Sequence, residues 1–208
     1  MFITFEGIDF CGKSTQAELL KNYLIGKNKK VEIIREPGGT NISEKVRSIL
    51  LDKENENMFM ETEIFLFSAS RAQLVREKIR PYLARGIYVI SDRFHDSSIA
   101  YQGYGRGISI ESVTHVNKLA IGSTIPDITF FIDIPVEEAE KRKTGKNVNE
   151  LDRIEISEMN FFEKVRNGYL EISKTEKRFR VLNGLESIDE IHKSIINEII
   201  LLENKESV

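Results

Sequence analysis

The stretch that most restricts how this chain can fold is GIDFCGKS, at positions 7–14. Two glycines enclose four variable positions, and Lys13 and Ser14 follow the second glycine, which is the spacing of a phosphate-binding loop. The apolar run FITF precedes the loop and the helical pattern STQAELL follows it. The motif therefore predicts an anion site between a strand and a helix. A glycine-rich turn that carries a lysine by chance is the alternative interpretation.

The sequence alternates between short β-rich runs and longer helical patterns. The runs are FITF (2–5), VEII (31–34), IYVIS (87–91), ITFFID (128–133) and FRVL (179–182). Strands separated by helices favour a parallel sheet. Because each run is almost continuously apolar, both faces of the sheet are expected to be covered. The pattern predicts an α/β fold, a three-layer sandwich with a five-stranded parallel sheet flanked by helices.

Length and composition exclude several classes of protein. The chain has 208 residues, which fits a single domain spanning residues 1–208. A formal net charge of -3 gives no indication of nucleic-acid binding, so any anion site must be local. No apolar run approaches about 18 residues, and neither a membrane span nor an export signal is expected. The single cysteine, Cys11, excludes an internal disulfide and suits the cytosol.

Polar residues occur where the predicted strands end. Ligands of parallel α/β sheets bind beyond the carboxyl ends of the strands, which here carry the phosphate-binding loop, Arg35, Asp92 and Arg93. Asp92 can complete a Mg²⁺ shell with the Ser14 hydroxyl, and Arg93 can hold a second phosphate with two parallel hydrogen bonds. A solvated carboxylate at a strand end is the alternative for Asp92. Two phosphate sites favour a kinase over a simple nucleoside triphosphatase.

Four segments, FEGIDFCGKSTQ, REPGGT, SDRFHDSSIAYQGYGRG and LDRIE, occur in this order. Together they resemble the bacterial type of thymidylate kinase, a family of P-loop nucleoside monophosphate kinases, and the likeness spans nearly the whole chain. The resemblance implies transfer of a phosphoryl group from ATP to dTMP with Mg²⁺, giving dTDP for dTTP biosynthesis. It also implies a homodimer formed through helices that flank the sheet.

On the donor side, the resemblance assigns the loop to ATP. Lys13 would reach the terminal phosphates, and Ser14 and Asp92 would be the metal ligands. Asp9 would bind the sugar 3′-hydroxyl or the water around the metal, and a carboxylate that caps a turn is its other interpretation. The predicted ATP-binding residues are Gly7, Ile8, Asp9, Phe10, Cys11, Gly12, Lys13, Ser14, Thr15 and Arg142.

On the acceptor side, the resemblance implies that thymine stacks on Phe67 and hydrogen-bonds Arg71, which lie one turn apart on one helical face. Ser98 would contact the base, and Tyr101 would crowd the 2′ position of the sugar. From the residues alone, Phe67 is more often a core side chain and Arg71 a solvated charge. The exposed face of an amphipathic helix explains Arg47 equally well. The predicted substrate-binding residues are Asp9, Arg35, Pro37, Arg47, Phe67, Arg71, Arg93, Ser97, Ser98, Tyr101 and Gln102.

The most polar internal segment, about 140–153, is predicted to be a mobile lid, too polar to pack in a core. Positions 8–11 contain no basic residue, so charge that stabilises the transferring phosphoryl group must come from elsewhere. Thymidylate kinases fall into two groups, those with an arginine in the loop and those with basic lid residues. The resemblance implies that this chain belongs to the second group. The lid offers Arg142, Lys143, Lys146 and Arg153, although a solvated charged loop is the alternative. The predicted catalytic residues are Asp9, Lys13, Arg93, Arg142 and Arg153.

Cys11 lies in the phosphate-binding loop, close to the N terminus of the predicted helix. A helix N terminus lowers the pKa of a neighbouring thiol, so Cys11 is expected to be reactive. Bound ATP should then protect it from a thiol reagent.

Two other functions share parts of this pattern. A deoxynucleoside kinase has a similar loop and arginine but phosphorylates a hydroxyl, so its acceptor would be thymidine rather than dTMP. A nucleotide-dependent switch protein would carry a guanine-specific motif such as NKxD, which the sequence lacks. The expected partners are therefore the small molecules dTMP and ATP, with neither nucleic acid nor a membrane.

Overall fold

The computed structural model of the protein describes residues 1–144 and 151–206. The strands are β1 (Phe2–Glu6), β2 (Val31–Arg35), β3 (Tyr88–Asp92), β4 (Ile128–Asp133) and β5 (Phe179–Asn183). The helices are α1 (Lys13–Gly26), α2 (Asn41–Leu51), α3 (Met60–Leu74), α4 (Arg80–Ala84), α5 (His95–Ser98), α6 (Ile110–Ile121), α7 (Val136–Lys143), α8 (Met159–Thr175) and α9 (Ile188–Glu206). π-Helical turns extend α3 at Val75–Ile79 and α5 at Ile99–Gly105. Within the two described ranges, no helix is long and apolar enough to cross a membrane.

The strands of the described residues form one parallel sheet in the order β2-β3-β1-β4-β5, which confirms the predicted α/β fold. Most strands extend slightly beyond the predicted carboxyl ends, to polar residues such as Glu6 and Asp92. The reason is that backbone pairing continues past the last apolar side chain. In the central strand β1, Phe5 is opposite Asp92 of β3. The loop that follows β1 therefore lies next to Asp92 and Arg93.

Apolar side chains cover both faces of the sheet. Phe2 of β1 packs in a cluster with α3 and α6, through residues such as Leu74 and Ala120. The next residue, Ile3, belongs to a second cluster that includes Leu20 of α1. Because adjacent side chains of a strand point to opposite faces, the two clusters form two core layers. The three-layer arrangement is thus confirmed, and polar groups are left at the carboxyl edge.

The segment predicted to be a lid is only in part a polar flap. Its first residues belong to α7, and positions 145–150, which include Lys146, lie outside the described residues. Beyond them, Leu151, Arg153 and Ile154 are buried, and the backbone N–H of Arg153 donates to the carbonyl of Leu51 at 3.2 Å. The expectation that this segment is too polar to pack is therefore wrong for its C-terminal end, because apolar side chains and a paired arginine fill that stretch.

Candidate active site

The carboxyl edge of the sheet opens into a cavity of about 500 Å³. All the residues predicted to bind the nucleoside monophosphate line it. The lining consists of Asp9, Phe10, Gly12, Lys13, Ser14, Thr15, Arg35, Glu36, Pro37, Arg47, Leu51, Phe67, Arg71, Asp92, Arg93, Ser97, Ser98, Tyr101, Gln102, Arg142, Asp152, Ile154 and Glu155. Three predicted ATP-binding residues, Gly7, Ile8 and Cys11, are buried and are not among the residues that line the cavity. The fold thus brings residues from both halves of the chain into one site.

The phosphate-binding loop has glycines where its backbone requires them. Gly12 has a φ of 103°, in the left-handed region that favours glycine, and a Cβ at Gly7 would lie 2.7 Å from the carbonyl oxygen of Ile132. Lys13 is buried, and its Nζ donates to the carbonyls of Gly7 (3.2 Å) and Ile8 (2.8 Å). The lysine charge is thus held against the loop, where the N terminus of α1 also favours an anion.

Oxygen ligands suited to Mg²⁺ lie beside the loop. Ser14 Oγ donates a hydrogen bond to Asp92 Oδ2 at 2.5 Å, and both residues line the cavity. In nucleotide sites Mg²⁺ is usually bound by one or two protein oxygens together with phosphates and waters. Among the described residues, no group of three or more His, Cys, Asp or Glu side chains is placed to hold a metal. The oxygens of Ser14 and Asp92, adjacent to the loop, are of the type that binds magnesium in such sites.

Arg93 follows β3 with a φ of 72°, in the left-handed region that non-glycine residues rarely adopt. Its guanidinium donates to oxygens from several parts of the chain, namely Gly7 O (2.9 Å), Ser97 Oγ (3.3 Å), Tyr169 OH (3.3 Å), Asp9 Oδ1 (2.6 Å) and Tyr101 OH (2.9 Å). A strained residue that many partners hold in place is a common feature of functional sites. Arg93 is therefore preorganised on the cavity wall, where it suits a second phosphate.

Asp9 connects the loop to this arginine. Its carboxylate accepts hydrogen bonds from Arg93 and from the Tyr101 hydroxyl (3.2 Å). Burial favours a higher pKa for Asp9, but the charges of Arg93 and Lys13 outweigh burial, and the pKa is lowered. Asp9 is therefore ionised at neutral pH, and Arg93 keeps a charged partner beside the loop.

Arg71 of α3 is 1% exposed and is fixed on several sides. It donates to Glu36 Oε2 (2.6 Å), Ser98 Oγ (2.9 Å), Asn117 Oδ1 (2.8 Å) and the carbonyl of Phe94 (3.2 Å). Burial raises the pKa of Glu36 to about 7, although Arg71 opposes this shift. A guanidinium has five N–H donors, so one Nη2 hydrogen has no partner among the described residues. Arg71 lines the cavity with its orientation set and one donor left for a ligand.

The remaining predicted acceptor residues surround this arginine. Phe67 lies one turn before Arg71 on α3; it is partly exposed, packs against the hydrophobic core and lines the cavity. Arg47 of α2 donates to the carbonyl of Pro37 at 2.8 Å. Arg35 forms an exposed ion pair at 3.4 Å with Glu44. Both arginines add positive charge to the same cavity.

Among the predicted lid cations, Arg142 lies against the phosphate-binding loop. Its Nη1 is 3.5 Å from the carbonyl oxygen of Phe10, and its Nη2 donates to the carbonyl of Gly184 at 3.0 Å. Lys143 instead pairs with Glu140 on the same helix. Arg142 thus brings positive charge to a loop that has no basic residue at positions 8–11.

Arg153 lies in a different environment. It is 8% exposed and donates from Nη2 to Glu63 Oε2 at 2.6 Å and from Nε to the carbonyl of Leu50 at 2.8 Å. Its guanidinium is therefore engaged with α2 and α3. The prediction of Arg153 as a cation over ATP does not agree with this position.

The expectation of a reactive Cys11 is wrong. The thiol is buried, at 2% exposure, and burial raises its pKa even though Lys13 and Arg93 act in the opposite direction. The side chain belongs to the hydrophobic core beneath the loop. A buried thiol of raised pKa is protonated at neutral pH and reacts slowly.

Some side chains that support the site could not be singled out from the sequence. Glu6, at the end of β1, is buried and accepts hydrogen bonds from the N–H of Phe94 and from the hydroxyls of Ser97 and Tyr169. Burial, reinforced by the charge of Asp96, raises the pKa of Glu6 to about 7. An acidic residue at the end of an apolar strand was the available signal for Glu6.

No comparable signal marks Asn117 or Glu63. Both lie on amphipathic or mixed helices, where a polar residue ordinarily faces solvent. Each is buried because an arginine from another part of the chain meets it, Arg71 at Asn117 and Arg153 at Glu63.

The parallel sheet, the loop after β1 and the arginines across the cavity define a P-loop kinase of the nucleoside monophosphate kinase type. A scan against protein families finds thymidylate kinase as the matching family, over residues 5–195. The chain belongs to the thymidylate kinase family.

Individual relatives agree with this assignment over nearly the whole chain. The thymidylate kinase of Thermosipho africanus is 53% identical over 195 residues, covering 94% of this chain and 95% of the relative. That of Kosmotoga olearia is 48% identical over 202 residues, covering 97% and 96%. The crystal structure of thymidylate kinase from Ehrlichia chaffeensis has a TM-score of 0.78 and 36% identity, covering 96% of this chain and 98% of that one.

Proposed function

We propose that this protein transfers the γ-phosphoryl group of ATP to the phosphate of dTMP, giving ADP and dTDP, with Mg²⁺. The observation that carries the proposal is a single cavity with two kinds of wall. The phosphate-binding loop with Lys13 forms one kind, Phe67 and the fixed donor of Arg71 form the other, and the guanidinium of Arg93 contacts the loop at Gly7 and Asp9. A donor and an acceptor nucleotide placed on these walls meet at their phosphates.

The chain acts mainly by positioning and by charge. Lys13 and the loop bind the donor phosphates, and Arg93, held by Asp9, binds the acceptor phosphate. Ser14 and Asp92 would hold the Mg²⁺ ion, which would supply positive charge to the donor phosphates. The phosphoryl group passes directly between the two nucleotides, without a covalent enzyme intermediate.

Base recognition depends on α3. Phe67 stacks on thymine, and the unpaired Nη2 hydrogen of Arg71 donates to a carbonyl of the base. Because Glu36, Ser98 and Asn117 hold the other donors of Arg71, the guanidinium cannot turn to suit a different pattern of acceptors. Such a preorganised contact discriminates strongly between bases.

A panel of acceptors tests this function. With ATP and Mg²⁺, dTMP is expected to give the highest kcat/KM among the common nucleoside monophosphates, and thymidine is expected to be a poor acceptor. Arg71→Ala should raise KM for dTMP by about tenfold or more, because a charged hydrogen bond is lost, and KM for ATP by much less. The matched control is Arg76→Ala, which removes an arginine just beyond α3 and should leave KM for dTMP nearly unchanged.

Coupled measurement of ADP release gives all these constants. A tenfold preference for UMP, CMP or AMP over dTMP would contradict the proposal. Phosphorylation of thymidine in preference to dTMP would instead identify a deoxynucleoside kinase.

We also propose that the protein forms a homodimer through the face of α2, α3 and α6. α3 packs against both α2 and α6, and the three helices expose Ile42 (53%), Phe65 (61%) and Leu119 (81%) to solvent. Large apolar side chains exposed on neighbouring helices favour an interface. In sedimentation velocity the protein should have about twice the mass of one chain, and Phe65→Asp should shift it toward the monomer. A wild-type monomer at micromolar concentration would be incompatible with this assembly.

We further propose that the enzyme works in the cytosol. The single cysteine is buried and unpaired in the core, which suits a reducing compartment. Localisation of a tagged chain by cell fractionation tests this, and recovery outside the cytosol would contradict it.

A further inference from the structure

A buried carboxylate outside the phosphate sites, Glu63, joins three parts of the chain. Glu63 belongs to α3 and is 1% exposed. Its Oε1 accepts hydrogen bonds from Gln102 Nε2 (2.9 Å) and Arg106 Nε (3.2 Å). Its Oε2 accepts from Arg106 Nη2 (3.3 Å) and Arg153 Nη2 (2.6 Å). Gln102 lies in the π-helical turn after α5, Arg106 follows that turn, and Arg153 lies beyond positions 145–150.

The negative charge of Glu63 is in direct contact with two positive charges, those of Arg106 and Arg153. Burial alone favours a higher pKa for Glu63, but the charge of Arg106 and the hydrogen bonds it receives outweigh burial, and the pKa is lowered. Glu63 is therefore ionised at neutral pH. A buried arginine such as Arg153 strongly favours a charged partner, so removal of the Glu63 charge is costly for that contact.

Arg153 attaches the segment 151–155 to the helices beneath it. Its backbone N–H donates to the carbonyl of Leu51 (3.2 Å), and its Nε donates to the carbonyl of Leu50 (2.8 Å). The flanking residues Asp152 and Ile154 line the cavity. Within this segment, Arg153 therefore attaches to the helices, whereas its neighbours Asp152 and Ile154 form part of the cavity wall.

Glu63 is also connected to the acceptor side of the cavity. Phe67 and Arg71 follow it on α3 at one-turn intervals, on the same helical face, and both line the cavity. Gln102, which Glu63 holds, also lines the cavity and follows Tyr101 in the chain. Glu63 thus contacts the segment 151–155 and the turn that carries Gln102, and it belongs to α3, which also lines the cavity.

We propose that Glu63 is a positioning residue of the acceptor site, and that Arg153 acts through Glu63 rather than on a phosphate of ATP. Through Arg153, Glu63 fixes the wall formed by the segment 151–155, and through Gln102 it fixes the turn that carries Tyr101. Loss of this pair therefore weakens binding of the acceptor nucleotide more than it slows the chemical step. The inference rests on the proposed function, because it assigns these walls to dTMP.

A double-mutant cycle tests the proposal with Glu63→Gln, Arg153→Met and the combined variant. Each single variant is expected to raise KM for dTMP by about tenfold. The double variant should be no worse than Glu63→Gln alone, because Glu63→Gln already removes the charge that Arg153 pairs with. The kcat and the KM for ATP should change by less than about threefold. Arg153→Lys keeps a charge beside Glu63 and should give an intermediate KM. Since KM does not depend on how much of the enzyme is folded, partial misfolding does not imitate this result.

The matched control combines Glu63→Gln with Arg142→Ala. Arg142 contacts Phe10 of the loop and does not contact Glu63, so the losses in kcat/KM caused by these two changes should multiply. The proposal is overturned if Arg153→Met lowers kcat on the order of 10²-fold at unchanged KM, because Arg153 would then act on a phosphate. It is likewise overturned if the losses in kcat/KM caused by Arg153→Met and Glu63→Gln multiply in the double variant. It is also overturned if neither variant changes KM for dTMP. The acceptor panel with the wild type tests whether dTMP is the substrate, and the double-mutant cycle tests the role of Glu63 separately. The cycle is measured with the monophosphate that the wild type prefers.

Discussion

Replacement of Arg93 by alanine is expected to lower kcat/KM for dTMP by about 10³-fold, within the range that arginines contribute to phosphoryl transfer. Asp9, Tyr101 and the carbonyl of Gly7 hold this guanidinium in one orientation. Its left-handed backbone shows that the fold tolerates local strain to keep it there. The variant loses the positioned charge for the acceptor phosphate and leaves the carboxylate of Asp9 without its ion-pair partner.

Arg93→Lys separates charge from geometry. Lysine keeps the positive charge but lacks the planar guanidinium that Gly7 O, Asp9 and Tyr101 hold in one orientation, so an intermediate loss is expected. The matched control is Arg85→Ala, because Arg85 is an exposed arginine at the C-terminal end of α4 that does not line the cavity and should cost far less. Steady-state kinetics with dTMP as the varied substrate give the comparison. A loss of less than tenfold for Arg93→Ala would mean that Arg93 does not hold the acceptor phosphate.

Replacement of Arg142 by alanine is expected to lower kcat on the order of 10²-fold, the typical cost of removing one charge-stabilising donor. The loop has no basic residue at positions 8–11, and Arg142 is placed beside it by contacts to Glu138, Gly184 and the carbonyl of Phe10. A contact made mainly in the transition state lowers kcat and kcat/KM together, whereas a uniform binding contact raises KM alone. The expected signature of Arg142 is therefore a lower kcat with little change in either KM.

The neighbouring Lys141 provides the matched control. It lies on the same helix and carries the same charge, but it is 77% exposed and pairs only loosely with Glu138, at 3.7 Å. Lys141→Ala should change kcat by no more than about twofold, as usual for an exposed ion pair. If Arg142→Ala keeps a near-normal kcat at saturating ATP and dTMP, the charge comes from elsewhere. Lys13, Arg93 and a bound Mg²⁺ ion would then have to supply it, and the placement of this protein among the lid-dependent kinases would be wrong.

The fold could be predicted from the sequence because its signals are local. Each strand is a short apolar run, and the phosphate-binding loop is defined by residues that are adjacent in the chain. The common face of Phe67 and Arg71 follows from the period of a helix alone. The polar strand ends, such as Asp92, lie beside the loop because the carboxyl ends of parallel strands share one edge of the sheet.

The sequence by itself thus determined the parallel sheet, the loop and the family that the quoted segments resemble. The tertiary structure alone decided the environment of individual side chains. Cys11 lies in the predicted loop, but its pKa depends on how deeply the core covers it. From the sequence, Arg142 and Arg153 could not be distinguished, because both are cations of the same polar segment. Arg153 meets Glu63, which lies 90 positions earlier, whereas Arg142 meets the loop. Burial and long-range pairing set the charge state and the partner of a side chain, and neither is a property of the residues next to it in the sequence.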